Sequence, residues 1–154
     1  MTIRIPSLED FQNHDGLHYH ILWKQVGDSW HCPSCRRSKY QIMRWTKRFP
    51  KKPSPFMGWV AALHAHHDHG IHQPGSYARF DRTVICDQCN SADGAAKRRH
   101  KLPANFSFSP TEIGSFVTAV PHGAHTINYE TALAIYQWLA SNNSFKPNPL
   151  RGSA

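Results

Sequence analysis

Apolar positions along this chain change period several times, and each change predicts a different element. Ser7-Leu-Glu-Asp10 opens with an N-cap serine and predicts a short helix. Asp15-Gly16 predicts a turn into Leu17-His-Tyr-His-Ile-Leu-Trp23, where Leu17, Tyr19, Ile21 and Trp23 alternate with His18 and His20 as in a half-buried strand. Phe56-Met-Gly-Trp-Val-Ala-Ala-Leu63 is an unbroken apolar run that predicts a buried strand. The stretch from Gly70 to Gly75, with Pro74 inside it, reads as a loop. Arg82-Thr-Val-Ile-Cys86 is β-branched and predicts a strand returning antiparallel to the previous one. Residues 90–99 then predict a helix capped by Asn90 or Ser91 and weakened by Gly94.

Two further helices follow. Ser109-Pro-Thr-Glu112 combines an N-cap serine, a proline at the first helical position and a glutamate at the third, which is a capping box. Ile113, Phe116, Val117 and Val120 continue it at helical spacing. Asn128 caps the second helix, whose stripe is Leu133, Ile135, Tyr136 and Leu139. No internal repeat is present. The expected organisation is one α+β domain over residues 1–141, with a small N-terminal helix and strand extension, a basic insertion at 36–55, a core at 56–101, C-terminal helices at 109–141, and a disordered Ser/Asn/Pro-rich tail at 142–154.

Charge narrows the partners. Eighteen Lys and Arg against ten Asp and Glu among 154 residues give a net charge of +8, which favours a polyanion. Twelve of the eighteen fall in two stretches: Arg36, Arg37, Lys39, Arg44, Lys47, Arg48, Lys51 and Lys52, and then Lys97, Arg98, Arg99 and Lys101. Nucleic acid is the first candidate partner, with Trp45, Phe49 or Trp59 available for stacking, although core packing suits Trp59 better. No apolar run reaches the ~20 residues of a membrane span. The N-terminus lacks a secretory h-region, so an intracellular, cytoplasmic location is expected.

All four cysteines lie in two Cys-x-x-Cys knuckles, Cys32/Cys35 and Cys86/Cys89. Paired knuckles favour thiolate ligation of structural zinc over disulfides, although 50 intervening residues exceed the spacing of compact zinc ribbons. His31 is a less suitable replacement ligand. Separately, His64-Ala-His66-His67-Asp68-His69 concentrates four imidazoles in six residues. Neutral imidazole accepts a proton near pH 7, and oxygen ligands hold a hard divalent ion against a phosphate. In a regular strand His64, His66 and Asp68 face one way and His67 and His69 the other, so a shared site requires the pleat to break near Gly70.

The span from His64 to Lys97 resembles the HNH, or ββα-metal (His-Me finger), nucleases, closest to the endonuclease VII type that resolves branched DNA. The residues carrying the resemblance are His64-Ala-His66-His67-Asp68-His69, then Arg82, then Cys86-Asp-Gln-Cys89-Asn90-Ser-Ala-Asp93-Gly94. The match covers about 35 residues plus the Cys32/Cys35 knuckle and departs at His66, where the endonuclease VII pattern has aspartate.

The resemblance implies a ββα-metal core braced by four cysteines. It implies His67 as general base, and Asn90 with His66 as ligands of a catalytic Mg2+ or Mn2+, Asp68 being the alternative ligand. His69 and His64 would orient the base or touch phosphate, and Asp93 would support the ligands. Arg82 and Arg79 would grip the scissile phosphate, while Arg44, Lys47, Arg48, Lys97 and Arg98 would track the DNA.

The implied function is a metal-dependent DNA endonuclease leaving 5′-phosphate ends, as a homodimer where both strands are cut. Restriction, homing, junction resolution and phage packaging remain open roles. The alternatives are a non-catalytic zinc module that binds nucleic acid, and an RNA-cleaving or non-specific toxin nuclease on the same scaffold.

Overall fold

Two antiparallel strands and the helix that follows them form the centre of the fold. In the computed structural model, which describes residues 2–16, 20–48, 51–72 and 78–142, strand β3 (Leu63–His66) pairs with β4 (Thr83–Cys86), Leu63 opposite Cys86 and His66 opposite Thr83. This is the antiparallel return expected from the β-branched run. β4 passes without a loop into helix α4 (Asp87–Arg99), and the Asp87 N–H donates to Ala62 O at 2.8 Å.

The long apolar run divides between two sheets. Its first half is β2 (Phe56–Val60), paired with β1 (Arg44–Arg48), and its second half is β3; Ala61 and Ala62 are buried at the corner between them. An apolar run reads the same whether it stays in one sheet or crosses between two. Against expectation, β2 is not buried throughout, since Phe56 and Met57 are half exposed. Nor is the 36–55 segment an appendage. It carries α3 (Lys39–Ile42), closed by a Ser38/Gln41 capping box, and β1, and it places Ile42 and Met43 in the core.

Residues 20–23 correct a second reading. They belong to helix α2 (His20–Gln25) and not to a strand. Leu22, Trp23 and Val26 pack on the core while Ile21 stays exposed, which is helical spacing; the expected alternation relied on Ile21 facing inward with Trp23. Leu17, His18 and Tyr19 lie outside the described residues. Gly16 serves this packing, because it has φ +79° and a Cβ there would meet the Trp23 Cβ at 2.6 Å.

The capping predictions fare better. Ser7 and Asp10 close α1 (Leu8–Asn13) reciprocally, and Ser109 and Glu112 do the same for α5 (Pro110–Phe116). Asn128 caps α6 (Tyr129–Ser141), which buries Ala132 and Leu139. Ile113 and Phe116 face the core as expected. Val117 instead opens β5 (Val117–Thr118), which pairs with β6 (Thr126–Ile127), and Val120 is exposed. The tail beyond residue 142 lies outside the described residues. Among those described, no helix is long and apolar enough to cross a membrane.

One buried cluster unites these α+β elements, running from Trp23 through Ile85 and Phe106 to Leu139. Helix α5 lies so close to the first cysteine knuckle that a Cβ on Gly114 would sit 2.3 Å from the Ser34 carbonyl oxygen. Two backbones cannot yield as a side chain would. Gly114→Ala is therefore expected to lower stability by about 1–3 kcal/mol or more, despite alanine's better helix propensity; a denaturant midpoint equal to wild type would contradict the contact.

Candidate active site

Each half of the cysteine cluster comes from a different local geometry. Cys32 and Cys35 flank a turn in which Arg36 N donates to Cys32 O at 2.8 Å and Arg36 takes φ +69°, a left-handed conformation rare outside glycine. Cys86 ends β4 and is the N-cap of α4, so Cys89 falls in the first helical turn. This corrects the expected start at Asn90 or Ser91. The β-branched run ends where the helix begins, and no loop residues intervene.

The four sulfurs converge. All lie within 4.8 Å of one another, with Cys32–Cys89 and Cys35–Cys86 each at 3.8 Å, too long for disulfides. A regular tetrahedron with metal–sulfur bonds of ~2.3 Å has edges of ~3.8 Å. Four cysteines are thus positioned to hold a metal ion, compatible with structural zinc, and their closed sulfur shell fits a structural role. His31 is exposed and bonds Ser29 O, outside this shell. The sulfurs differ in acidity: Cys35 is held far below the ordinary thiol range, chiefly by its hydrogen bond with Cys32, whereas the contact with Cys32 pushes Cys89 up.

The histidine cluster turns the chain out of β3. The strand stops at His66, and residues 69–72 form a 3-10 turn, so the pleat breaks where shared use of His66 and His67 requires. His64, His66, His67 and His69 line one cleft of about 610 Å3, facing Asn90, Asp93, Lys97 and Arg98 of α4. Asp68 does not line it. That carboxylate is buried, accepts from the backbone N–H of Gly70 and Arg79, and borders a separate hollow of about 400 Å3 with Phe80 and Arg82.

A segment given no role in the sequence reading fixes these groups. Phe106, Ser107 and Phe108 are fully buried. The Phe108 carbonyl accepts from His66 Nε2 at 2.6 Å, and its N–H donates to Asp93 Oδ1 at 2.9 Å. Because a carbonyl only accepts, His66 carries a proton on Nε2, which leaves Nδ1 as the ring atom for any ligand bond, the arrangement usual for a metal-binding imidazole. Phe80 stacks on the same ring at 5.3 Å. Ser107 Oγ accepts from His69 N, and the other Asp93 oxygen pairs with Lys97 Nζ at 3.0 Å. His64 Nε2 lies 3.0 Å from Asp87 Oδ1, a partner the sequence reading also missed. Burial first, and then the charge of Lys97, keep His69 below the ordinary histidine value, so its neutral form predominates at pH 7.

The expected DNA contacts separate into two groups. Arg82, Lys47 and Arg98 are exposed. Arg44 is half-buried beside Asp87 and Arg37, while Arg48 lies over the Phe56 ring at 5.5 Å. Trp45 packs edge-on against Trp59 with Arg4 above it, and Phe49 lies outside the described residues. Lys39 and Arg37, counted within the basic stretch, are buried. Arg79 is engaged within the protein. Its guanidinium pairs with both Glu112 oxygens at 2.9 and 3.1 Å and with Ser107 O at 2.6 Å. Arg79→Met is expected to lower stability by about 1–3 kcal/mol, since it strands part of a half-buried network, and to leave DNA affinity unchanged. Loss of affinity with unchanged stability, measured by titration and thermal melting, would reverse that assignment.

Among the described residues, the four cysteines are the only group of three or more His, Cys, Asp or Glu ligand atoms gathered closely enough for one ion. Compared with family models, curated proteins and solved structures, the chain matches none.

Proposed function

We propose that this chain is a metal-dependent endonuclease of the ββα-metal type acting on DNA. The observation that carries the reading is the convergence of His66, His67 and His69 from the end of β3 with Asn90 from α4 on one open cleft walled by Lys97 and Arg98. A lone imidazole is common on any surface. Three beside an amide ligand, with cations along the rim, match what phosphodiester hydrolysis needs.

His66, through Nδ1, and Asn90 would hold a magnesium ion, for which few protein ligands and several waters are usual. When bound, such an ion neutralises charge on the phosphate and its leaving oxygen. The remaining work falls to side chains. His67 accepts the proton of the attacking water, and neutral His69, whose ring lies 4.9 Å from that of His67, adds no competing positive charge there. Lys97, Arg98 and Arg82 bind flanking phosphates; water attacks phosphorus as the bond to the 3′ oxygen breaks, so the 3′ hydroxyl leaves and a 5′-phosphate remains. The four-cysteine centre positions Asn90, one residue beyond Cys89, without taking part in chemistry. Cutting both strands at one site would require two copies.

Substrate choice is tested by offering supercoiled plasmid, a four-way DNA junction and structured RNA with magnesium. Cleavage of either DNA in preference to RNA is expected. Preferential RNA cleavage would replace DNA by RNA in this reading, and binding without cleavage of any substrate would leave a non-catalytic zinc module.

A further inference from the structure

Arg37 is a buried cation without a carboxylate. It is 4% exposed, and among the described residues no Asp or Glu forms an ion pair with it. A buried charge lacking compensation is costly. Its guanidinium turns instead to sulfur and to backbone: Nε donates to Cys35 Sγ at 3.3 Å, Nη2 to Cys86 Sγ at 3.7 Å, and Nη1 to the carbonyls of Val120 and Gly123 at 3.2 and 3.3 Å. One sulfur belongs to each knuckle.

Four thiolates around a divalent ion leave two excess negative charges in a dry environment. Arg37 is the cation nearest at hand to balance them. We propose that Arg37 is the counter-ion of the four-cysteine centre: by donating to Cys35 and Cys86 it lowers the electron-donating strength of both sulfurs and governs how firmly the metal is held. This inference stands on the metal centre alone and does not depend on the nuclease reading. Its rival is that Arg37 only ties down the turn carrying Val120 and Gly123. Gln88 separates the two ideas, because it ties the same turn, through Gly123 O at 3.0 Å and His125 N at 2.7 Å, with no hydrogen bond to sulfur.

The test uses the full chain loaded with cobalt(II), whose sulfur-to-metal charge-transfer band reports thiolate donor strength. Arg37→Met should move that band to longer wavelength and speed capture of the metal by a chelator about tenfold or more, the usual size of an outer-shell effect. Arg37→Lys, which keeps the charge but cannot donate to both sulfurs, should fall between. Gln88→Met should lower the melting temperature and move the band far less than Arg37→Met does. The proposal is overturned if the Arg37→Met band and capture rate equal wild type, or if Gln88→Met shifts the band as much as Arg37→Met does. Should Arg37→Met fail to fold, a wild-type band in Arg37→Lys overturns it equally.

Discussion

Cys86→Ser is expected to abolish zinc binding and leave the chain unfolded at 25 °C. Structural zinc in small domains is worth about 10–16 kcal/mol of apparent free energy near pH 7, against a total stability of about 5–15 kcal/mol for a whole domain. Losing even part of it exceeds the margin. The local effect of the substitution runs the other way. Cys86 is the N-cap of α4 and makes no side-chain capping bond, whereas serine is a favoured cap. Unfolding would therefore report lost ligation and not a damaged helix. Cys86 is also fully buried against Cys32, Cys35 and Arg37, so a serine hydroxyl would leave the opposing groups unpartnered. Zinc content by metal analysis and helicity by circular dichroism check this together. A zinc-free protein that still melts cooperatively would mean the knuckles do not support the fold.

The second large effect concerns chemistry. His67→Ala should reduce cleavage by about 10²–10⁴-fold, the contribution typical of a positioned general base, which corresponds to roughly 3–5 kcal/mol of transition-state stabilisation. DNA affinity and zinc content should not change. His67 is half-buried at the cleft, outside the buried cluster and away from the sulfurs, so its removal opens no cavity in the core. His66 would behave differently. It is 4% exposed, stacks on Phe80 and bonds the Phe108 carbonyl, so replacing it combines loss of a proposed ligand with loss of packing. Only His67 isolates the base. Undiminished cleavage by that variant would remove the assignment.

Sequence patterns revealed local features well wherever they depend on a few neighbouring residues. The capping boxes at Ser7 and Ser109 and the cap at Asn128 formed as the residues predicted, because a cap is closed within one turn. The sulfur cluster was legible too, since Cys-x-x-Cys spacing has few other uses. The limits appear where tertiary contacts decide. Leu17 to Trp23 fits period two, yet packing of Leu22, Trp23 and Val26 selects a helix from residue 20 onward. Arg37 and Lys39 look like surface charge in a basic run. The first lies against two thiol sulfurs, and the second bonds the Trp23 carbonyl.

The site itself was half visible. His64, His66, His67, His69 and Asn90 reach one cleft, but nothing in the motif indicated what aligns them. Phe106-Ser-Phe108 does so mainly through the Phe108 backbone, which any sequence supplies, with the Ser107 hydroxyl beside it; its one signal is a pair of phenylalanines two apart in a polar stretch. His125 was missed for a similar reason. Its Nε2 lies 3.2 Å from Cys89 Sγ, and it follows a Pro-His-Gly turn that carries no metal-binding spacing.

The most direct test of the account is nicking of supercoiled plasmid by the zinc-loaded protein as magnesium is titrated. Wild type should nick only when magnesium is added and should leave 5′-phosphate ends, while Asn90→Ala and His67→Ala retain DNA binding without nicking. Absence of nicking with either magnesium or manganese, or equal nicking by wild type and both variants, would contradict it.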